Sequence, residues 1–388
     1  MTMTAHECFS RSVPEADRKF VEAAQYAGAH VESFAHPLTD PAGETLHTSV
    51  AWIGPRDATE VALYTSGTHG NEGWAGSAIQ IDSLRRGAFS ELPADRAVML
   101  IHLVNPWGCA WGCRENEENQ DLFRDFIYYR PEDRYDDSAY TQEMYEATTL
   151  RSYDDEEVDR SNREIGRLVQ EMGLAELIGI LRRGQWRYPD GLFFNAGGRS
   201  WSFRLYRDLV VRYLGHAPRV LGLDIHTAFG RYGEGLVYLE NSDNEAKRRL
   251  LAEIYGEDRL FVGGSDPAIP AHAFFPYEIG RLFVPGLELV GTAVEFGTVD
   301  LDDPVGVMRY VNYLFNRGDP SNPERPDLLE QYARFVYPDE DDWREMVTAR
   351  GREVVDQTLA GVSELRNHRL PSPVAAEPAK RTAVSDRP

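Results

Sequence analysis

From about residue 48 the chain alternates between short apolar runs and longer stretches of helical period. The runs "SVAWIG", "EVALYT", "AVMLIHLV", "RVLGLDIH", "GLVYLE" and "LVGTAVEF" are rich in β-branched residues and bounded by glycine, proline or charge, which predicts strands. Between several of them lie "EGWAGSAIQIDSLRRG", the long "DEEVDRSNREIGRLVQEMGLAELIGILRRG", "SWSFRLYRDLVVRYLG" and "PVGVMRYVNYLFNRG", whose spacing predicts helices. Ahead of them, residues 14 to 28 open on a proline, carry early acids and close on a glycine, the marks of an N-terminal helix. Strands interleaved with helices predict an α/β fold, a mixed and mostly parallel twisted sheet covered by helices on both faces. Sheets of this kind bind ligands at the carboxyl ends of their strands.

Two segments depart from that rhythm. Residues 130 to 160 are dense in Asp, Glu and Tyr and read as a solvated acidic insertion, with "DDEE" as a helix start because no calcium-loop spacing accompanies it. Residues 341 to 365 read as a last amphipathic helix, and the Pro, Ala and charge bias of "RLPSPVAAEPAKRTAVSDRP" reads as disorder. The expected organisation is a single domain over 1–367 and a tail over 368–388, without internal repeats.

Composition narrows the function classes. Sixty-three acidic against forty-one basic residues leave a formal charge of -22, which repels phosphate backbones and anionic membranes and argues against either as a partner. An anionic substrate would need a local basic pocket against this field. No apolar run is long enough to span a bilayer and the start lacks a secretory pattern, so a cytoplasmic location is expected. Three cysteines, Cys8, Cys109 and Cys113, cannot build a disulfide framework and read as buried small hydrophobes. Neither composition nor charge fixes the oligomeric state.

The chemistry is concentrated at strand ends. His69 and Glu72 in "SGTHGNEGWAG" form an H-x-x-E pair just past "EVALYT" and at the opening of the next helix. Alone such a pair is weak, but its position puts both residues on the rim where these sheets keep their sites. A catalytic zinc takes three protein ligands and leaves a place for water, and His226 closes another buried strand in "RVLGLDIHTAFG". Glu295 ends the apolar run "GTAVEF", where a carboxylate is costly unless paired or used; beside a metal it is a candidate general base. In "NPWGCAWGCRENEENQDLFRDF", Arg114 and Arg124 are candidates for polarising a carbonyl and gripping a carboxylate, although a surface salt bridge is the ordinary use of each. Asp121 is a candidate for fixing a ligand histidine from behind; Asp224, on the same strand face as His226, serves similarly or caps a turn.

With these residues assembled, the chain resembles the zinc carboxypeptidase superfamily, in which H-x-x-E, an arginine, a D-x-N-R block, a histidine and a late glutamate follow in that order. The segments "SGTHGNEGWAGSAIQ", "NPWG", "REN", "DLFRDF", "YPDGLFF" and "LDIHT" are most similar to a bacterial branch near the succinylglutamate desuccinylase and aspartoacylase side, over residues 48 to about 300. The resemblance implies Zn2+ held by His69, Glu72 and His226, Glu295 as general base, Arg114 polarising the scissile carbonyl and Asp121 behind a ligand histidine. It places Arg124 on the arginine that binds a substrate carboxylate. One departure stands out: Phe123 occupies the asparagine position of D-x-N-R, so an amide donor gives way to an aromatic ring. The family's substrate-closing tyrosine has two candidates, Tyr232 and Tyr277. The expected activity is carboxypeptidase-like hydrolysis of an amide bond by metal-activated water with a glutamate general base, on a small peptide or N-acyl amino acid as partner. The alternatives are a deacylase of small N-acyl amino acids and a non-catalytic zinc-binding relative.

Overall fold

The computed structural model describes residues 5–127, 137–195, 197, 200–239, 245–262, 278 and 280–368. Its spine is an eight-stranded sheet in the order β1-β2-β4-β3-β5-β8-β6-β7. In chain order the strands are β1 His30–Thr39, β2 Thr45–Ile53, β3 Glu60–Ser66, β4 Arg96–His102, β5 Arg219–Ala228, β6 Gly235–Leu239, β7 Leu260–Val262 and β8 Glu288–Gly297. The central pairs β4/β3, β3/β5 and β5/β8 are parallel, as is β6/β7; β1/β2, β2/β4 and β6/β8 are antiparallel. The sheet is thus mixed and mostly parallel, as the alternation of runs predicts.

Both faces are covered, and alternation along each central strand sorts its side chains between two cores. On β3, Ala62 and Tyr64 pack with Phe20, Ile79, Trp343 and Val347 under the helices Val13–Tyr26, Gly73–Arg85 and Asp341–Gly361. Val61 and Leu63 point the other way, into a core with Phe203, Leu209 and Val210 of the helix Trp201–Leu214.

The two strands absent from the pattern explain themselves. β1 is an edge strand with its residues mostly exposed, so it carries no apolar period, and Pro37 is acceptable there because an edge leaves N–H positions unpaired. β7 has three residues, too few for any periodicity. The expected long helix over 155–184 is two, Asp155–Met172 and Leu174–Arg183, interrupted at Gly173. Asp154 caps the first of them by accepting from the Glu157 N–H, as the acidic start suggests.

The acidic segment differs from a loosely solvated insertion over its described part. Tyr140, Met144 and Ala147 are buried with Leu168, Leu177, Ile180, Leu181, Leu192 and Phe193, which gives residues 137–195 a small apolar core of their own. Residues 128–136 and the tail from 369 lie outside the described residues. Among the described residues no helix is long and apolar enough to cross a membrane. The three cysteines are buried and none is in a disulfide among the described residues.

Under the helix Gly73–Arg85 lies an array that the sequence pattern does not reveal. Ser77 Oγ is 2.8 Å from His102 Nε2, and the imidazole stacks on Phe20 with ring centroids 4.4 Å apart. Asp17 stands 4.0 Å from His102 Nδ1 but accepts the Ser49 hydroxyl at 2.5 Å. Ser77 and His102 are shut inside the core, so this is packing rather than a nucleophile site. Burial pushes the His102 pKa down to about 3. Unfolded, a histidine titrates near 6.5, so between those values only the unfolded chain binds the proton and stability rises with pH. Acidification below about pH 6.5 is therefore expected to cost up to about 1.4 kcal/mol per pH unit from this residue. The check is the difference in unfolding midpoint between the wild-type chain and His102→Gln from pH 7 to 4. Parallel profiles would refute the assignment.

Candidate metal centre

Three neighbouring strands, β3, β5 and β8, deliver the candidate residues to one end of the sheet. β3 stops at Ser66, and Gly67 turns the chain at φ +68, a left-handed conformation that favours glycine. His69 then leaves in an extended conformation, and the single turn Gly70–Glu72 leads into the helix Gly73–Arg85. At Gly70 a Cβ would lie 2.3 Å from the Gly108 carbonyl carbon, so only glycine lets the two backbones approach this closely. The loop is pinned there by the N–H groups of Gly70 and Asn71, which donate to the carbonyls of Arg114 and Cys113, both at 3.0 Å. The glycines around His69 are thus what brings the arginine loop and the H-x-x-E pair together.

His69, Glu72 and His226 each present one ligand atom within 4.8 Å of the other two. His69 Nδ1 lies 2.8 Å from Glu72 Oε1, and His226 Nδ1 lies 3.0 Å from Glu72 Oε2. Around a tetrahedral zinc with ligands at about 2.0–2.1 Å, ligand atoms stand roughly 3.4 Å apart. The spacing, the burial and the His, His, Glu donor set therefore fit a divalent cation of the zinc type.

His226 has a carboxylate on its other ring nitrogen, the arrangement that fixes the orientation of metal-binding imidazoles, and His69 has one near its Nε2, beyond the closer Arg114 guanidinium. For His226 it is Asp224, at 2.5 Å from Nε2; for His69 it is Asp121, at 3.4 Å from Nε2. Asp224 is itself held by the hydroxyls of Thr65 and Thr68, which donate at 2.7 and 2.8 Å. The Thr227 N–H donates to Glu72 Oε2 at 3.2 Å. Burial alone would raise the Glu72 pKa, but the charges and hydrogen bonds of His69 and His226 outweigh it and hold the carboxylate ionised. Burial would likewise raise Asp121, and Arg114 and Arg124 override it.

Glu295 lies directly across from His226 in the parallel β5/β8 ladder. Its Oε2 is shut off from solvent and has no hydrogen-bond partner among the described residues. Burial pushes the carboxyl pKa up to about 8, with Glu72 and Asp224 adding to the rise and His226 and Arg114 opposing it. A buried, partnerless carboxylate oxygen beside a cluster of metal-type donors is costly unless something else occupies the space.

Arg114 reaches the centre directly, with Nη2 2.7 Å from His69 Nε2 and Nη1 donating to Asp121 at 2.7 Å. Arg124 is oriented otherwise: Nη1 donates to Asp121, while Nε, at 2.9 Å, and Nη2 donate to the carbonyl of Arg182. Both guanidinium groups lie over the Phe193 ring, at 5.4 and 4.9 Å. The Phe123 ring sits against both histidines, 5.9 Å from His69 and 5.8 Å, nearly edge-on, from His226. Of the tyrosine candidates, Tyr232 has its hydroxyl on Asp342 at 3.1 Å, and Tyr277 lies outside the described residues.

Sequence reasoning leaves Thr65, Thr68, Phe193 and Arg182 unnamed. Thr65 is the register partner of Asp224, a relation between strands far apart in the chain that no local spacing signals. Only the "T-S-G-T" run before His69 hints at hydroxyls poised near the site.

No curated protein matches the chain in sequence. Among solved structures it is similar to bovine thrombin-activatable fibrinolysis inhibitor, bound to tick carboxypeptidase inhibitor, at 11% identity and TM-score 0.49, over 93% of this chain and 100% of that one. It is also similar to Porphyromonas gingivalis glutaminyl cyclase (9%, TM-score 0.38, 89% and 88% covered) and to a succinylglutamate desuccinylase/aspartoacylase from Rhodobacter sphaeroides (16%, TM-score 0.35, 75% and 65% covered). Identities this low leave the reaction to the site residues themselves. The order of the chain's motifs resembles that of the zinc carboxypeptidase superfamily. The family model described as "Protein of unknown function (DUF2817)" matches residues 9–350, and the chain belongs to that family.

Proposed function

We propose that the protein is a metal-dependent hydrolase of amide bonds, with His69, Glu72 and His226 holding zinc. The observation that carries this reading is the convergence of three buried ligand atoms with the partnerless Glu295 carboxylate directly across from one of them. A zinc ion held there supplies Lewis acidity, which brings the pKa of a water molecule to about 7. Glu295 accepts the proton as the water oxygen attacks the amide carbon. It then returns that proton to the amine nitrogen as the C–N bond breaks, so no covalent enzyme intermediate is needed. Arg114, the guanidinium nearest the centre, stabilises the negative charge that develops on the carbonyl oxygen. Asp121 and Asp224 hold the two imidazoles with Nδ1 turned inward.

Two observations argue against the D-x-N-R grip on a substrate carboxylate, a group that N-acyl amino acids and peptide C termini share. Phe123 puts an aromatic ring where a carboxylate-binding amide is expected, and Arg124 is engaged by Asp121 and the Arg182 carbonyl.

The test combines metal analysis with a substrate panel of N-acyl amino acids and of peptides with free or amidated C termini. About one equivalent of zinc, lost in His69→Ala, and turnover of at least one of these amides that stops on chelation are expected. Metal without turnover of any amide would leave a zinc-binding relative that does not catalyse.

A further inference from the structure

We propose that the guanidinium of Arg182 is a subsite for an anionic group on the substrate, most simply a carboxylate. The inference rests on the amide-hydrolase reading of the metal centre and names the charge class of what that centre takes.

The placement comes first. Arg182 ends the helix Leu174–Arg183 of the 137–195 segment, and its carbonyl accepts the Arg124 Nε and Nη2 donors, which fixes it beside the 121–124 block. Its own side chain extends over the Phe229 ring at 4.9 Å, and Phe229 follows His226 by three residues on the loop leaving β5. The charges of Arg124, Arg114 and Glu295 all reach it. Arg182 thus stands at the edge of the metal centre, not on a remote surface.

The charge balance then separates it from its neighbours. Arg114 pairs with Asp121 and Glu115, and Arg124 pairs with Asp121. Arg182 is exposed and makes no ion pair among the described residues. A cation in the last turn of a helix has an ordinary use, complementing the helix dipole, but that needs no proximity to two other guanidinium groups. Arg124 and Arg114 repel the Arg182 guanidinium and Glu295 attracts it, but the carboxylates beside Arg114 and Arg124 are already paired, so Arg182 is the guanidinium of the three left to meet an incoming anion. Phe229, half-exposed beneath the guanidinium, offers an apolar surface to the carbon skeleton that carries the charge.

The experiment is calorimetric titration of the full chain carrying Glu295→Gln, so that nothing is turned over. The probes are N-acetyl-L-glutamate and N-acetyl-L-glutaminamide, the same skeleton with both carboxylates replaced by carboxamides. With Arg182 in place the dianion is expected to bind at least about tenfold more tightly, consistent with a charge-assisted hydrogen bond. Arg182→Gln is expected to remove that preference while the uncharged probe binds within about twofold of before, and Arg182→Lys to retain part of it. A structural role alone would weaken both probes together and lower the unfolding midpoint. No preference with Arg182 present, no binding of either probe at millimolar concentration, or a preference that survives Arg182→Gln would each overturn the inference. Because the readout is binding, it stands apart from the hydrolase reading, which fails instead if the unaltered protein holds no metal and cleaves no amide.

Discussion

Glu295→Gln is expected to leave the metal in place and to cut kcat by about 100- to 10,000-fold, the range typical for loss of a general acid–base group. The substitution keeps the size and the hydrogen-bonding oxygen of the side chain but removes its capacity to take a proton. The position is demanding: across from His226 in the ladder, with Oε2 sealed and partnerless. Paired measurements of zinc content and of turnover on the best substrate check it. Unchanged kcat with full metal would mean that another group moves the proton. Loss of metal together with activity would mean that Glu295 is a ligand rather than a base.

His226→Ala is expected to abolish metal retention and turnover together. Even changing a group behind a metal ligand costs about 10- to 100-fold in affinity, so removing the ligand itself should exceed that range. The damage goes beyond one missing bond. The imidazole lies between Glu72, 3.0 Å from Nδ1, and Asp224, 2.5 Å from Nε2, and its loss leaves two buried carboxylates without the group that separates them. Equilibrium dialysis against zinc, with the unfolding midpoint recorded in parallel, distinguishes the outcomes. Retention of a full equivalent at micromolar zinc would remove His226 from the ligand set.

The fold was legible to the extent that burial imposed a pattern. The six strands read from the sequence include the inner strands of the sheet, buried on both faces and therefore apolar throughout, while the polar edge strand β1 and the three-residue β7 left no such trace. The pattern predicts one long helix over 155–184 where Gly173 divides two, because helical period continues on both sides of the interruption. At the site, His69, Glu72, His226, Glu295, Arg114 and Asp121 were legible because their types are costly at the ends of apolar runs or match a motif in series, and the structure brings them together. Arg124 matches the family's substrate-carboxylate arginine by motif, yet much of its guanidinium is engaged by Asp121 and a backbone carbonyl. Arg182 could not be found from spacing: it enters from a segment whose sequence reads only as an acidic insertion and a helix. Local pattern carries the cost of burying a residue; it does not carry which distant residue comes to stand beside it.

β5 and β8 run side by side through ten consecutive paired positions, from Arg219 opposite Glu288 to Ala228 opposite Gly297. The Glu295 carboxylate is therefore aimed by main-chain geometry, as a tooth is set by its place on a comb. Lengthening or shortening β8 by one residue ahead of Glu295 would turn its carboxylate to the opposite side of the sheet and offer Val294 or Phe296 in its stead. The helices of residues 137–195 are free of that constraint. In the proposed hydrolase, substitutions there would change the surroundings of the metal centre while Glu295 stays locked to the comb.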